Sequence, residues 1–427
     1  MTVPAHNTIA HGDQSTLGEV LVDLEDLPPV KLEPEPRSKL LLAASLVLIA
    51  FNIRIVFSSL STVLPEIMRT NNLSASGASI LTTLPVLCMG LFSFAAPGLA
   101  QRYSAERVIL GSMAVLTIGT SLRGFQTTPT LFLAALLTGS SIAMINVLLP
   151  GLVKRDFPGK APLMTGLYTM ALCLGAASAA ALTVPIERIF NHSWATALAV
   201  WAIPGVLVTA LWAPYAIAAQ PARRNMVFVV RGLMKDRLAW QVTLFMGLQS
   251  ALAYITFGWL APILRDRGLD DVSAGVALSI SVLGQMIACL FVPSIAMRFR
   301  DQKLVNVLLC AAAAVSFIGC AVLPLSTVWV LVALLGLSQG GMLSMGMTAI
   351  IMRAPDIHVA AKLSGMVQGV GYTLAALGPL LVGMLHGWSG TFASTAILFA
   401  ALAAGSGING WAAGSNRHVN VRAEQVQ

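Results

Sequence analysis

KLLLAASLVLIAFNIRIVFSSLSTVLP, residues Lys39–Pro65, decides the fold class. The run is apolar except for Arg54 near its centre, and no other charge occurs between Lys39 and Glu66. At ~1.5 Å of rise per residue it crosses a hydrocarbon layer as one helix, which puts Arg54 near the midplane. A cation at that depth costs at least ~2.5–3.5 kcal/mol on insertion scales, so it requires polar partners, a counter-charge or a water-filled cavity.

The remaining composition agrees. Of 427 residues, 56% are hydrophobic and 10% charged, with a mean hydropathy of +0.80; soluble domains carry roughly 25% charged residues. This is an integral membrane protein. The net charge of +8 does not indicate nucleic acid, because the basic residues lie in short loops between apolar runs, where they set orientation. All five cysteines (Cys88, Cys173, Cys289, Cys310 and Cys320) lie inside apolar runs, which argues against a disulfide framework or a thiolate metal site. There is no HExxH, no P-loop and no cluster of His, Cys and acidic residues, so no enzyme site, cofactor or metal is expected. GSGING at Gly405–Gly410 matches G-x-G-x-x-G, but it lies inside an apolar run without a preceding strand and is read as chance.

Eleven more apolar runs follow the first, at about 77–98, 108–126, 130–152, 162–185, 195–218, 238–263, 274–297, 304–325, 328–352, 363–386 and 390–413. With the amino terminus inside, the inner segments hold 20 of the 26 Lys and Arg and the outer ends and loops hold five, Arg69, Arg123, Arg188, Arg265 and Arg267, leaving Arg54 alone. The asymmetry predicts a multi-pass protein with both termini cytoplasmic. Residues 1–38 form a polar, acidic tail expected to be disordered, with a short amphipathic helix through Leu17, Val20, Leu21 and Leu24 as the alternative. The expected division is a six-helix half at 39–218, a basic linker at 219–237, a second half at 238–413 and a tail at 414–427. A faint repeat supports it: PGLAQRY (Pro97–Tyr103) aligns with PSIAMRF (Pro293–Phe299) at an offset of about 196, and Pro65 with Pro262 at about 197.

Two six-span halves with a parallel repeat and a basic central loop resemble the major facilitator superfamily. Gly98, Leu99, Ala100, Arg102 and Arg107 fit its G-x-L-A-D-R-x-G-R-R signature, with Gln101 where the family has an acidic residue and Ala105 where it often has glycine. Glu106 is the candidate substitute, and Arg102, Glu106, Arg107 and Arg298 are the candidate inner-gate charges. The Asn52-x-Arg54 pair, TTLPVLCMGLF (Thr82–Phe92), NVLLPGLVKRDFPG (Asn146–Gly159), MTGLYTMALCLGAA (Met164–Ala177) and MGLQSALAY (Met246–Tyr254) resemble the cyanate and 2-nitroimidazole porters within that superfamily. Ile55 replaces the proline of their Asn-x-Arg-Pro, so no kink is required after Arg54. The resemblance implies an all-α fold of twelve transmembrane helices in two pseudo-symmetric bundles, in a bacterial inner membrane, with a small weakly acidic substrate and no catalysis.

All 18 acidic residues lie in loops, tails or span ends, so none neutralises Arg54 at depth. The expected counter-charge is an anionic solute; the alternative is that Arg54 braces the halves through carbonyls and polar neighbours. Ser58, Ser61 and Thr62 continue the Arg54 stripe. Asn146, Tyr168, Gln249, Tyr254, Gln285, Gln339, Gln368 and Tyr372 are the mid-depth polar candidates for orienting the solute, each also able to serve as an interhelical hydrogen bond. The expected protein is a monomeric secondary transporter of a small anion. Proton co-transport, exchange and simple equilibration are left open; an exporter of apolar drugs is the alternative, favoured by 18 methionines. A membrane enzyme or sensor is a remote third.

Overall fold

The computed structural model describes residues 36–157, 160–219, 228–230, 232–355, 357–421 and 423–425. The expected disorder or amphipathic helix of the amino-terminal tail falls outside them. Among the described residues twelve helices are long and apolar enough to span a membrane: span one Lys39–Thr62, two Ala75–Ser93, three Ala105–Phe125, four Thr128–Asp156, five Leu163–Ile189, six Trp194–Ala218, seven Arg237–Asp266, eight Asp271–Ala296, nine Lys303–Val322, ten Leu325–Arg353, eleven Lys362–Ser389 and twelve Ala393–Ala413. Polar caps start several of them. Ser74, Thr127, Asp236 and Asp270 accept the amides of Gly77, Thr130, Ala239 and Ser273, satisfying N–H groups that a helix leaves open. The first helix runs unbroken through Arg54 to Thr62, and a short helix, Leu64–Thr70, continues it with Pro65 in its first turn.

Spans two, three, four and six pack on one another, as do seven, nine, ten and twelve, and the two sets meet along spans five and eight and along spans two and eleven. Lipid offers no hydrophobic drive between helices, so small residues set the approach. A Cβ on Gly336 or Gly340 would collide with the carbonyl of Ser281 or Gln285, which fixes spans eight and ten against each other. One addition to the all-α expectation is a two-stranded antiparallel ribbon pairing Phe228–Val230 with Ala423–Gln425.

The repeat reappears as paired contacts. Arg155, ending span four, donates to Glu106 at 2.5 Å; at matching positions in the second set Arg353, ending span ten, donates to Gln302 at 2.6 Å. Since an amide carbonyl serves at one site, Glu106→Gln should fold normally and cost less than about 1 kcal/mol in thermal or denaturant melts, as expected for a partly exposed pair.

The two ends of the bundle differ. At the Glu66 end Ser61 Oγ donates to Gly258 O at 3.1 Å, Ser79 Oγ to Pro379 O at 2.6 Å, and Arg265 forms an ion pair with Glu66. Gly275 and Gly383 there leave no room for a Cβ against Ala180 O and Ser79. At the opposite end, an added Cβ on Gly151, Gly166 or Gly365 meets nothing within 4 Å. The contacts at the first end hold spans one and seven, two and eleven, and five and eight together.

Candidate functional site

Arg54 projects from the middle of span one and is half-buried. Its guanidinium carbon sits 5.3 Å from the centre of the Phe257 ring, and Tyr254, Tyr372, Cys173 and Cys289 are its electrostatic neighbours. Spans five, seven, eight and eleven therefore converge on it. The Tyr254 ring lies 5.3 Å from Phe57, 6.4 Å from Phe257 and 6.3 Å, edge-on, from Tyr372, and its hydroxyl meets Met89 Sδ at 3.5 Å. Tyr168 lies within electrostatic range of Tyr372. Arg54 makes no hydrogen bond or ion pair among the described residues, and neither do the hydroxyls of Tyr168 and Tyr372. Below this group a cavity of about 130 Å³ separates spans five and eight, lined by Thr165, Thr169, Met170, Met286 and Cys289 among others.

Backbone packing sets the depth of the arginine. A Cβ on Gly175 would stand 3.3 Å from Phe51 Cα and collide with Phe51 O, so spans one and five touch along their backbones one turn before Arg54. Asn52, on the far face, returns its amide to Leu48 O at 2.9 Å.

The sequence candidates separate into two groups. Tyr168, Tyr254 and Tyr372 gather with Arg54. Gln285 and Gln339 instead form a clasp: Gln285 Nε2 donates to Gln339 Oε1 at 3.2 Å, and Gln339 Nε2 donates to Thr256 Oγ1 at 2.7 Å and Leu252 O at 3.3 Å. Both are buried, and the clasp ties spans seven, eight and ten. Gln249 spends its amide on Ser250 Oγ at 2.9 Å and Met246 Sδ at 3.3 Å. Gln368 donates to Ser364 Oγ at 3.0 Å, and Asn146 stands half-buried in span four without a side-chain hydrogen bond among the described residues. Gln339→Leu should thus lower thermal stability by about 1–2 kcal/mol and leave solute affinity within about twofold of wild type, a change of about 0.4 kcal/mol.

Ser58, Ser61 and Thr62 do continue the Arg54 stripe, but they are buried where spans one and seven meet rather than bordering open space. Phe57, Phe257, Met89 and Cys289 were not among the candidates; Phe257, one turn beyond Tyr254, is the one that helical spacing alone could have found. Arg123, counted among the outer ends, is 2% exposed and sends Nη1 to Val56 O at 3.0 Å. Its long side chain turns inward from the end of span three. Of the inner-gate candidates, Glu106 pairs with Arg155, Arg107 donates to the carbonyls of Ala216 and Ile217, Arg102 rests on Tyr103, and Arg298 is exposed.

The Major Facilitator Superfamily model matches residues 46–379, most of the chain and every residue gathered around Arg54. The chain belongs to the major facilitator superfamily. This facilitator is 33% identical over 396 residues to an uncharacterized transporter, YycB, of Bacillus subtilis, covering 90% of this chain and 97% of that one. It is 32% identical over 386 residues to the 2-nitroimidazole transporter of Escherichia coli, covering 90% and 98%. It is 30% identical over 351 residues to the cyanate transport protein CynX of Escherichia coli, covering 81% and 90%. Among solved structures, the nucleoside transporter NupG superposes with a TM-score of 0.69 at 14% identity, covering 88% of this chain and 100% of that one, and an inward-facing, unoccupied bacterial homolog of the lysosomal transporter Spinster with 0.68 at 16%, covering 90% and 99%. These two establish the fold. The facilitator is a multi-pass membrane transporter, not an enzyme.

Proposed function

We propose that this facilitator carries a small, weakly acidic or anionic solute by alternating access, with Arg54 holding the anion. The observation that carries the reading is the guanidinium of Arg54: half-buried at mid-span, resting on one ring, and without hydrogen bond or ion pair among the described residues. A buried cation without a partner is costly, and a ligand anion removes that cost. The ion pairs among the described residues stand at the ends of the spans, with none at its depth. Tyr168 and Tyr372 add hydroxyl donors that bring no further charge. Relatives named for 2-nitroimidazole and for cyanate fit a compact acidic cargo.

The distribution of Lys and Arg favours both termini on the cytoplasmic side of a bacterial inner membrane. The end opposite Glu66 is then cytoplasmic, with the halves at 39–218 and 238–413 rocking about Arg54 in a monomer. The cargo travels with a proton, in exchange for another anion, or alone. Met170 and Met286 in the cavity wall favour a second reading, export of apolar compounds. A thermal-shift screen on purified protein separates the two. Small organic and inorganic anions should raise the melting temperature saturably and compete with one another; stabilisation by apolar drugs alone would select the second reading.

A further inference from the structure

At the Glu66 end a cavity of about 580 Å³ lies between the tips of spans one, five, seven and eight. Its middle is Arg265 of span seven, which pairs with Glu66, reaches Asp271 through Nε at 2.8 Å and donates from Nη1 to Thr62 O at 3.1 Å. All three of its nitrogens are engaged. Glu187 of span five lines the same cavity, is 7% exposed, and its carboxylate has neither hydrogen bond nor ion pair among the described residues. Facing it are Glu66, Asp271, Arg265 and His192. Arg69 and Arg188 stand exposed at the rim, where solvent and salt screen them. Among the described residues no group donates to this carboxyl, and it stands beside two carboxylates that already share Arg265.

We propose that Glu187 is a proton-binding site, taking up one proton as this end of the transporter closes and releasing it as the halves part. As the neutral acid Glu187 is cheap to bury; as the anion it opposes closure, because closing strips its water and leaves it beside Glu66 and Asp271. The neutral form belongs to the closed end, so closure is favoured at low pH and lost as pH rises. The inference rests on the alternating-access reading but not on the identity of the solute.

Hydrogen–deuterium exchange of the purified full chain, corrected for the intrinsic pH dependence of amide exchange, reads closure of this end without any solute. In wild type the closed-to-open ratio should rise by up to about tenfold per pH unit on acidification, the limit for one proton. Glu187→Gln should hold a high ratio that no longer responds to pH, whereas Glu187→Asp and His192→Gln should keep the slope. A flat wild-type profile, or a wild-type slope in Glu187→Gln, overturns the proposal. If Glu187→Gln does not fold, an apolar carbodiimide, which reacts with protonated carboxyls, decides it in wild type: modification of Glu187 at acid pH with Glu66 spared supports the site, and an unmodified Glu187 overturns it. Solute-induced protection at the Glu66 end that persists without any pH response would leave alternating access standing and the proton site lost.

Discussion

Arg54→Ala should weaken solute binding by about a hundredfold and, in the same protein, raise the melting temperature of the empty transporter. The two effects have one origin. In the empty site the guanidinium rests on Phe257 with no hydrogen-bond acceptor among the described residues, so its removal relieves part of the ~2.5–3.5 kcal/mol that a mid-span arginine costs. With solute bound, the same group supplies charge-assisted hydrogen bonds of about 1.5–3 kcal/mol. Losing about 2.7 kcal/mol corresponds to a hundredfold weaker Kd. Arg54→Lys should fall between, keeping the charge but losing the planar fork that meets two acceptor atoms together. The measurement is solute-dependent thermal shift and uptake in membranes that contain the variant at wild-type levels. Near-wild-type affinity in Arg54→Ala would sink the anion-binding role and favour bracing.

The second large effect comes from a residue that touches no solute. Gly175→Val places carbon where Phe51 O now lies, and spans one and five must separate. Overpacking of this kind costs about 1–3 kcal/mol; with rigid backbone as the obstacle, the upper part of that range is expected. The displacement reaches Arg54, three residues beyond Phe51, so transport should fall at least about tenfold, or about 1.4 kcal/mol. Gly166→Ala, also on span five but facing open space, should melt and transport like wild type. Equal behaviour of the two variants would show that the close approach of spans one and five does not hold the site.

Much of the candidate site was legible because of one mismatch between chemistry and surroundings. A charge inside an apolar run is conspicuous at any alignment depth, and its lack of an acidic partner follows from where the 18 acidic residues fall. The tyrosines were found as polar atoms at mid-depth. The glutamines were found for the same reason, yet Gln285 and Gln339 engage each other across spans eight and ten. A polar side chain in lipid must find a partner, and nothing in a linear string distinguishes a partner on the next helix from one in a cavity. Arg123 and Glu187 were hidden by a related ambiguity: both stand near span ends, where a long side chain can reach into solvent or turn back into the bundle.

The sequence by itself determined the membrane class, the twelve spans, their two-fold repeat and the solitary arginine, since each follows from hydropathy and charge along the chain, which lipid reads one segment at a time. Only the tertiary structure decided which spans are held together at the Glu66 end, which polar groups are used up in clasps, and that Phe257 and Tyr254 stand beside Arg54. Those outcomes depend on backbone contacts between helices far apart in the chain, such as Gly175 against Phe51 and Gly275 against Ala180, and close approach in three dimensions leaves no periodic mark in one.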